Sequence, residues 1–241
     1  MRRVLRTTDG GMSVIAHRGG SGGWRGNTLE AFAGARAMGA DGIELDVRLS
    51  GDGQVVVHHD ARLENGERID QLSRWQLPQW LPDLSSVLAE CEGMLVNVEI
   101  KLDEAEHGQR PDAARCRALA TGLGELLVRR PERVIVSSFW PDALVAFVEV
   151  AAGIATGLLV HPALSAEDAV TTASNLGCSA LHPFHSGATP SVIDLCHQVG
   201  LEVATWTVNQ PDEVRSLQRS GVDAVITDDV SMALEAVGRD S

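Results

Sequence analysis

Apolar residues in this chain come in short runs separated by stretches of helical period. Residues 13–16 form a short apolar run of strand type, and a glycine-rich loop to Gly26 follows it. Leu29, Phe32, Ala33, Ala35, Arg36 and Met38 then fit a helical stripe that Gly39 stops, with Asn27 or Thr28 placed to cap it. A second strand is expected over 41–47. The turn Ser50-Gly51-Asp52-Gly53 would send the chain back as a hairpin arm over 54–59. Residues 61–80 are polar without a clean period, and read as a loop excursion with one helical turn at 72–77. Pro82-Asp83-Leu84 opens a helix to about Cys91. From there the alternation is regular. Strands are expected at 94–100, 133–136, 154–160, 180–182, 201–206 and 223–227. Helices are expected at 113–130, 141–150, 166–175, 190–199, 211–219 and 230–237.

Leaving out the hairpin arm, eight strands are each followed by a helix or helical loop. Such alternation with short connections predicts a parallel sheet, and eight units in 241 residues fit a single-domain (β/α)₈ barrel of the TIM type. The barrel would occupy residues 13–241, with a small hairpin and loop insertion after the second strand, and residues 1–12 would be an N-terminal tail. A doubly wound open sheet is the alternative. No Gly-x-Gly-x-x-Gly after the first strand supports a dinucleotide site.

Composition narrows the function classes. The formal net charge of −13 argues against a nucleic-acid partner, whose binding surface would be rich in Lys and Arg. It leaves a phosphate-bearing substrate open, because a metal and a few cations can reverse the local field. Cys91, Cys116, Cys178 and Cys196 show no C-x-x-C spacing, and read as free, mostly buried thiols in a reducing compartment. The basic start of the chain leads into no long apolar segment. Neither a secretory signal nor a membrane span is expected, and a cytoplasmic location follows as the expectation.

Candidate chemistry gathers where the strands end, the face on which barrels of this kind build their sites. Glu44 and Asp46 stand two apart in an apolar run, so both project from one face of a strand. Burying two carboxylates side by side is costly without a cation, and a divalent metal is the simplest partner. Glu99 and Lys101 repeat the spacing. Glu44, Asp46 and Glu99 would give three oxygen ligands from neighbouring strands, with Arg18 and Lys101 placed to hold an anionic oxygen. The plain alternatives are a strand pair with a polar end and a buried Glu99–Lys101 ion pair. His17 and His59 suit acid/base work near neutral pH, and Asp60 could orient an imidazole or cap the turn. His58 should face away from His59 by strand alternation. His161, His182, His185 and His197 lack a companion carboxylate cluster and receive no catalytic role. Trp206 is either an apolar wall beside a substrate or a rim-packing aromatic, and Phe139 and Trp140 pose the same choice. The polar loop 103–109 reads as a lid or as a solvated acidic connector.

Taken in order, His17-Arg18-Gly19, Asn27-Thr28, Glu44-Leu45-Asp46-Val47, Asp52-Gly53, Val56-Val57-His58-His59-Asp60 and Val98-Glu99-Ile100-Lys101 resemble the glycerophosphodiester phosphodiesterase family. Ser138-Phe139, Trp206-Thr207-Val208-Asn209, Gly221-Val222-Asp223 and Ile226-Thr227-Asp228 continue the likeness, so it covers almost the whole chain. The resemblance implies a (β/α)₈ barrel, one divalent ion (Mg²⁺ or Ca²⁺), Glu44, Asp46 and Glu99 as its ligands, His17 and His59 as the acid/base pair, and Arg18 and Lys101 at the phosphate. It implies hydrolysis of a small-molecule glycerophosphodiester to glycerol 3-phosphate and an alcohol, through a cyclic phosphate that water opens. Two features depart from the family pattern. Arg25-Gly26 stand where Pro-Glu is usual, and the insertion beginning Ala61-Arg62-Leu63 is compact. A lysophospholipase D-like activity and a non-catalytic phosphodiester-binding role are the alternative readings.

Overall fold

The computed structural model describes residues 3–20, 22–102, 112–128, 133–160 and 164–239. Its frame is a closed barrel of eight parallel strands: β1 (Ser13–His17), β2 (Gly42–Leu49), β4 (Leu95–Ile100), β5 (Val134–Ser138), β6 (Ala155–Leu159), β7 (Ala180–His182), β8 (Glu202–Thr205) and β9 (Ala224–Thr227). The barrel closes because β1 pairs with both β2 and β9. The open doubly wound sheet is thereby excluded. The antiparallel arm β3 (Val55–Val57) is added to the outer half of β2. Among the described residues seven α-helices connect the barrel strands, α1 (Leu29–Ala37), α2 (Leu84–Glu90), α3 (Ala113–Leu127), α4 (Pro141–Val150), α5 (Ala166–Asn175), α6 (Pro190–Gln198) and α7 (Pro211–Arg219), and α8 (Val230–Ala236) follows the last strand. The last residues of the helix expected over 113–130 and the loop 103–109 lie outside the described residues.

The period of two explains the layering. Ile43, Leu45 and Val47 of β2 belong to the main core between barrel and helices. The residues between them therefore face the barrel interior. The interior is filled by Ile15, Leu95, Ile135, Ala180, Ala204, Ala224 and Ile226. Helix starts follow from capping chemistry. Thr28 accepts from the Ala31 N–H, Asp83 from Ser86 and Asp112 from Ala114 and Arg115, while Pro opens α4, α6 and α7.

Two parts of the chain differ from the sequence expectation. The first residues are more than a tail. Leu5 is fully buried with the interior cluster, and the Glu202 carboxylate accepts from the Val4 N–H at 2.7 Å and the Leu5 N–H at 3.2 Å. Arg6 Nε reaches Asp223 Oδ1 at 2.5 Å. These residues plug the floor of the barrel, because short strands alone leave its N-terminal end open. In the insertion, the single turn expected at 72–77 is two 3₁₀ turns, Ile69–Gln71 and Arg74–Gln76. Leu72 is extended between them, and the Gln76 side chain accepts from the Ser73 N–H at 3.0 Å, which starts the second turn afresh. The insertion has its own small core of Val56, Leu63, Ile69, Leu77 and Leu81. Among the described residues no helix is long and apolar enough to cross a membrane, and all four cysteines are buried and outside any disulfide.

Asp70 fastens the insertion to the barrel. Its carboxylate takes Arg68 at 2.9 and 2.8 Å and Arg115 of α3 at 2.7 Å, and the Arg68 hydrogen bonds hold its pKa down at about 2. A group depressed on folding stabilises above its unfolded pKa and loses that contribution as pH falls through the folded one. Asp70→Asn should therefore unfold at lower denaturant than the parent at pH 7. In urea titrations at successive pH values the gap should narrow as pH falls from 3.8 towards 2. A constant gap would assign the loss to packing instead.

Candidate active site

The register of the first strands decides which groups meet. β1 pairs His17 with Glu44, and β2 pairs Glu44 with Asn97 and Asp46 with Glu99. Glu44, Asp46 and Glu99 all face the interior at the C-terminal end and are buried, at 3%, 1% and 8% exposure. Each offers a carboxylate oxygen, and these oxygens lie within 4.8 Å of one another. Lys101 Nζ stands 2.5 Å from Glu99 Oε1 and 3.3 Å from Asp46 Oδ1. Arg18 contributes its Nε at 3.3 Å from Asp46 Oδ2 and its backbone N–H at 3.1 Å from Glu44 Oε2.

That backbone donor depends on a tight turn. Arg18 has φ 54° and Gly19 φ 92°, and a Cβ on Gly19 would stand 2.7 Å from Ala31 Cβ. Only glycine lets the loop lie this close to α1. Asn27, also left-handed at φ 61°, donates from Nδ2 to Asp46 Oδ2 at 2.8 Å and accepts the Asp46 N–H at 3.2 Å. It locks the Asp46 side chain against its own strand.

The electrostatics of the triad are unbalanced. Burial pushes Glu44 up to about 8, with the neighbouring Asp46 charge adding to it. Burial also pushes Glu99 up to about 8 against the pull of Lys101. Asp46 goes the other way: burial raises it, but Lys101, His59 and Arg18 together outweigh that and lower it. Two cations do not compensate three buried carboxylates. Glu44 Oε1 is buried with no hydrogen-bond partner among the described residues. An all-oxygen donor set of this kind fits a hard divalent cation.

The two histidines flank the triad. His17 Nε2 is 4.0 Å from Glu44 Oε2, and its Nδ1 meets Asp228 Oδ1 at 2.6 Å. Asn209 holds Asp228 in turn, with Nδ2 at 2.7 Å from Oδ2 and Oδ1 accepting the Asp228 N–H at 2.9 Å. His59 Nδ1 meets Asp60 Oδ1 at 2.7 Å, and burial lowers its pKa, with Asp46 opposing. A cavity of about 260 Å³ is lined by His17, Arg18, Glu44, His59, Glu99 and Lys101, with Trp206 on its wall. It opens beside a larger one of about 1080 Å³ bounded by the insertion.

Every residue singled out at the strand ends for chemistry thus borders this one site. The two readings of Trp206 both hold geometrically. Its ring lines the cavity, and it also packs edge-on to Phe139 and Phe184 at centroid distances of 5.6 and 5.3 Å. His58 stays off the small cavity that His59 lines and shares only the larger one with it. The strand ends at Val57, so alternation no longer applies, and His58 lies against Trp80 on the wall of the larger cavity. His185 and His197 pair singly with Glu213 and Asp223, away from the triad. His182 is fully buried in the barrel interior, and burial alone lowers its pKa to about 4. His161 lies outside the described residues. Arg25 does not enter the triad. Its guanidinium lies 4.0 Å over the Trp80 ring and 2.8 Å from Glu64. Asn27, Asp228 and Asn209 carry site geometry that the sequence reading did not assign. The signal for Asp228 was barrel closure, since pairing the last strand with the first sets its end beside His17.

A (β/α)₈ barrel that buries a carboxylate triad under two cations and two carboxylate-backed histidines defines a site for cleaving an anionic ester. Comparison with known proteins agrees. Residues 17–232 match the model of the glycerophosphoryl diester phosphodiesterase family, and the chain belongs to that family. A glycerophosphodiester phosphodiesterase of Caldanaerobacter subterraneus subsp. tengcongensis is 31% identical, over 93% of this chain and 97% of the relative. The crystal structure of a glycerophosphodiester phosphodiesterase from Thermotoga maritima superimposes with a TM-score of 0.78 at 30% identity, covering 93% and 97% of the two chains. That of an Oleispira antarctica phosphodiesterase in complex with its product sn-glycerol-3-phosphate superimposes with a TM-score of 0.82 at 27% identity, covering 93% and 96%.

The unbalanced triad predicts that a divalent cation stabilises the fold. Mg²⁺ or Ca²⁺ at about a hundredfold excess over its Kd should raise the melting temperature by roughly 5–10 °C. Scanning calorimetry of Asp46→Asn should show that rise abolished. An equal rise in the variant would place the ion elsewhere.

Proposed function

We propose that this chain hydrolyses glycerophosphodiesters to sn-glycerol 3-phosphate and an alcohol. The observation that carries the reading is the convergence of His17, Arg18, Glu44, His59, Glu99 and Lys101 on one small cavity at the strand ends, with Asp46 joined to Glu44 and Glu99 in the carboxylate cluster. Family membership and the product-bound relative support it. Glu44, Asp46 and Glu99 would hold one divalent ion, Mg²⁺ or Ca²⁺, which would supply charge neutralisation and Lewis acidity at the phosphoryl oxygens.

The chain's own groups do the rest. Arg18 and Lys101 bind the phosphoryl oxygens, and their positive charge offsets the charge that builds there in the transition state. His59, kept neutral by burial, takes the proton from the attacking oxygen through Nε2, while Asp60 holds its Nδ1. His17, oriented by Asp228, gives a proton to the departing alkoxide through its own Nε2. The attacking oxygen in the first step is the neighbouring glycerol hydroxyl, which forms a cyclic phosphate; in the second, water gives its proton to the now neutral His17 and opens the ring, while His59 returns its proton to the glycerol oxygen. Trp206 and Phe139 form the apolar wall beside the glycerol carbons. The buried thiols, outside any disulfide, suit the cytoplasmic setting we assign.

Purified protein with Mg²⁺ or Ca²⁺ should release sn-glycerol 3-phosphate from glycerophosphoethanolamine, and EDTA should stop it. His17→Ala and His59→Ala should each lower kcat by about 10²–10⁴-fold, and Glu44→Gln should abolish the metal response. Undiminished activity in any of the three removes the assigned role. A lysophospholipase D-like enzyme would instead prefer lysophospholipids in the same panel. Binding without turnover would mark a non-catalytic member.

The acid limb of the pH profile should belong to His59. Its pKa is lowered from 6.5, and a bound cation lowers it further. kcat/KM should therefore rise with pH through a midpoint below 6.5, and fall again at higher pH as His17 loses the proton it must donate. An acid limb centred above that value would assign the base to another group.

A further inference from the structure

We propose that Arg25 recognises the alcohol side of the diester and selects an alcohol that carries a second anionic oxygen group. This rests on the hydrolytic reading above. The cavity of about 1080 Å³ is far larger than glycerol phosphate needs, so its outer part is available to the leaving alcohol. Among the described residues its charge opposes that of the whole protein. Arg18, Arg25, Arg48, Arg62 and Lys101 face it, against Asp60, Glu64 and Glu99, on a chain whose net charge is −13.

Most of these cations are committed. Arg18 and Lys101 hold the triad. Arg48 Nε donates to the His59 carbonyl at 2.7 Å, and Arg62 to the Gly66 carbonyl at 2.8 Å. Arg25 is differently placed. Its guanidinium is laid on the Trp80 face at 4.0 Å, and Trp80 is steadied by the His58 ring at 5.8 Å. This stacking fixes the plane of the guanidinium and leaves its edge for a bidentate contact. The edge now meets Glu64 at 2.8 Å, whose side chain is 81% exposed. An ion pair at such an exposed carboxylate contributes little. An anionic ligand group can therefore replace Glu64 at small cost, while Trp80 keeps Arg25 in position.

The same contact disfavours a cationic alcohol. A quaternary ammonium is recognised on an open aromatic face. Here the Trp80 face is covered by a guanidinium, which would also repel the ammonium.

The test compares two diesters that differ by one phosphate, glycerophosphoinositol and glycerophosphoinositol 4-phosphate, with glycerophosphocholine as the cationic contrast. At low ionic strength the parent protein with Mg²⁺ should prefer the 4-phosphate by about tenfold in kcat/KM, and glycerophosphocholine should be the poorest of the three. Arg25→Ala should bring the two inositol diesters within about twofold, chiefly by lowering kcat/KM for the 4-phosphate. Glu64→Gln should widen the preference. Equal turnover of the pair by the parent, or a preference that survives in Arg25→Ala, overturns the proposal. If the parent hydrolyses neither these three nor glycerophosphoethanolamine, the hydrolytic reading fails and binding decides. Calorimetric titration with inositol 1,4-bisphosphate should then be about tenfold weaker in Arg25→Ala. Equal affinity in the two proteins would overturn the role of Arg25.

Discussion

Everything at the functional end of this barrel depends on three carboxylates held out of water at the ends of two adjacent strands. Burying one ionised carboxylate is costly; burying three within 4.8 Å of one another is sustainable only with compensating charge. Lys101, Arg18 and the amide of Asn27 supply part of it. The remainder appears as two glutamates pushed up to about 8 by burial and as Glu44 Oε1, which has no hydrogen-bond partner among the described residues. The fold has stored an electrostatic deficit where a divalent cation would remove it.

The barrel makes that deficit possible by separating two jobs along each strand. In β2 the residues Ile43, Leu45 and Val47 build the core under the helices, and the residues between them point inward. The first strand and the last are neighbours only because the barrel closes. His17 consequently receives Glu44 on one side and Asp228 on the other. The loop after β1 must bend through two left-handed residues to aim the Arg18 amide at Glu44, which ties the glycine beside it to the geometry of the site. The plug of Leu5 and Arg6 at the opposite end stabilises the barrel away from the chemistry.

Much of this was legible in the sequence. The spacing of Glu44 with Asp46 and of Glu99 with Lys101 fixed which groups share a face, since strand alternation is a local property. Element order followed from the apolar runs for the same reason. What could not be read depends on contacts distant in sequence. Asn27 looked like a helix cap because its bond to Asp46 requires the β1 loop to fold over β2. Asp228 and Asn209 looked like strand-end residues because their role needs the barrel to close. The hairpin arm expected over 54–59 ends at Val57, two residues early, so strand alternation did not reach His58. Arg25 stood out as a departure from the family pattern, but its stacking on Trp80 depends on how the compact insertion packs, which no local pattern encodes.

The most direct test of the central claim is anomalous diffraction from crystals grown with Mn²⁺ and sn-glycerol 3-phosphate. One ion should lie among the carboxylates of Glu44, Asp46 and Glu99, with the phosphate between Arg18 and Lys101 and within reach of His17 and His59. A triad without an ion under these conditions, or a phosphate bound away from it, would contradict the account.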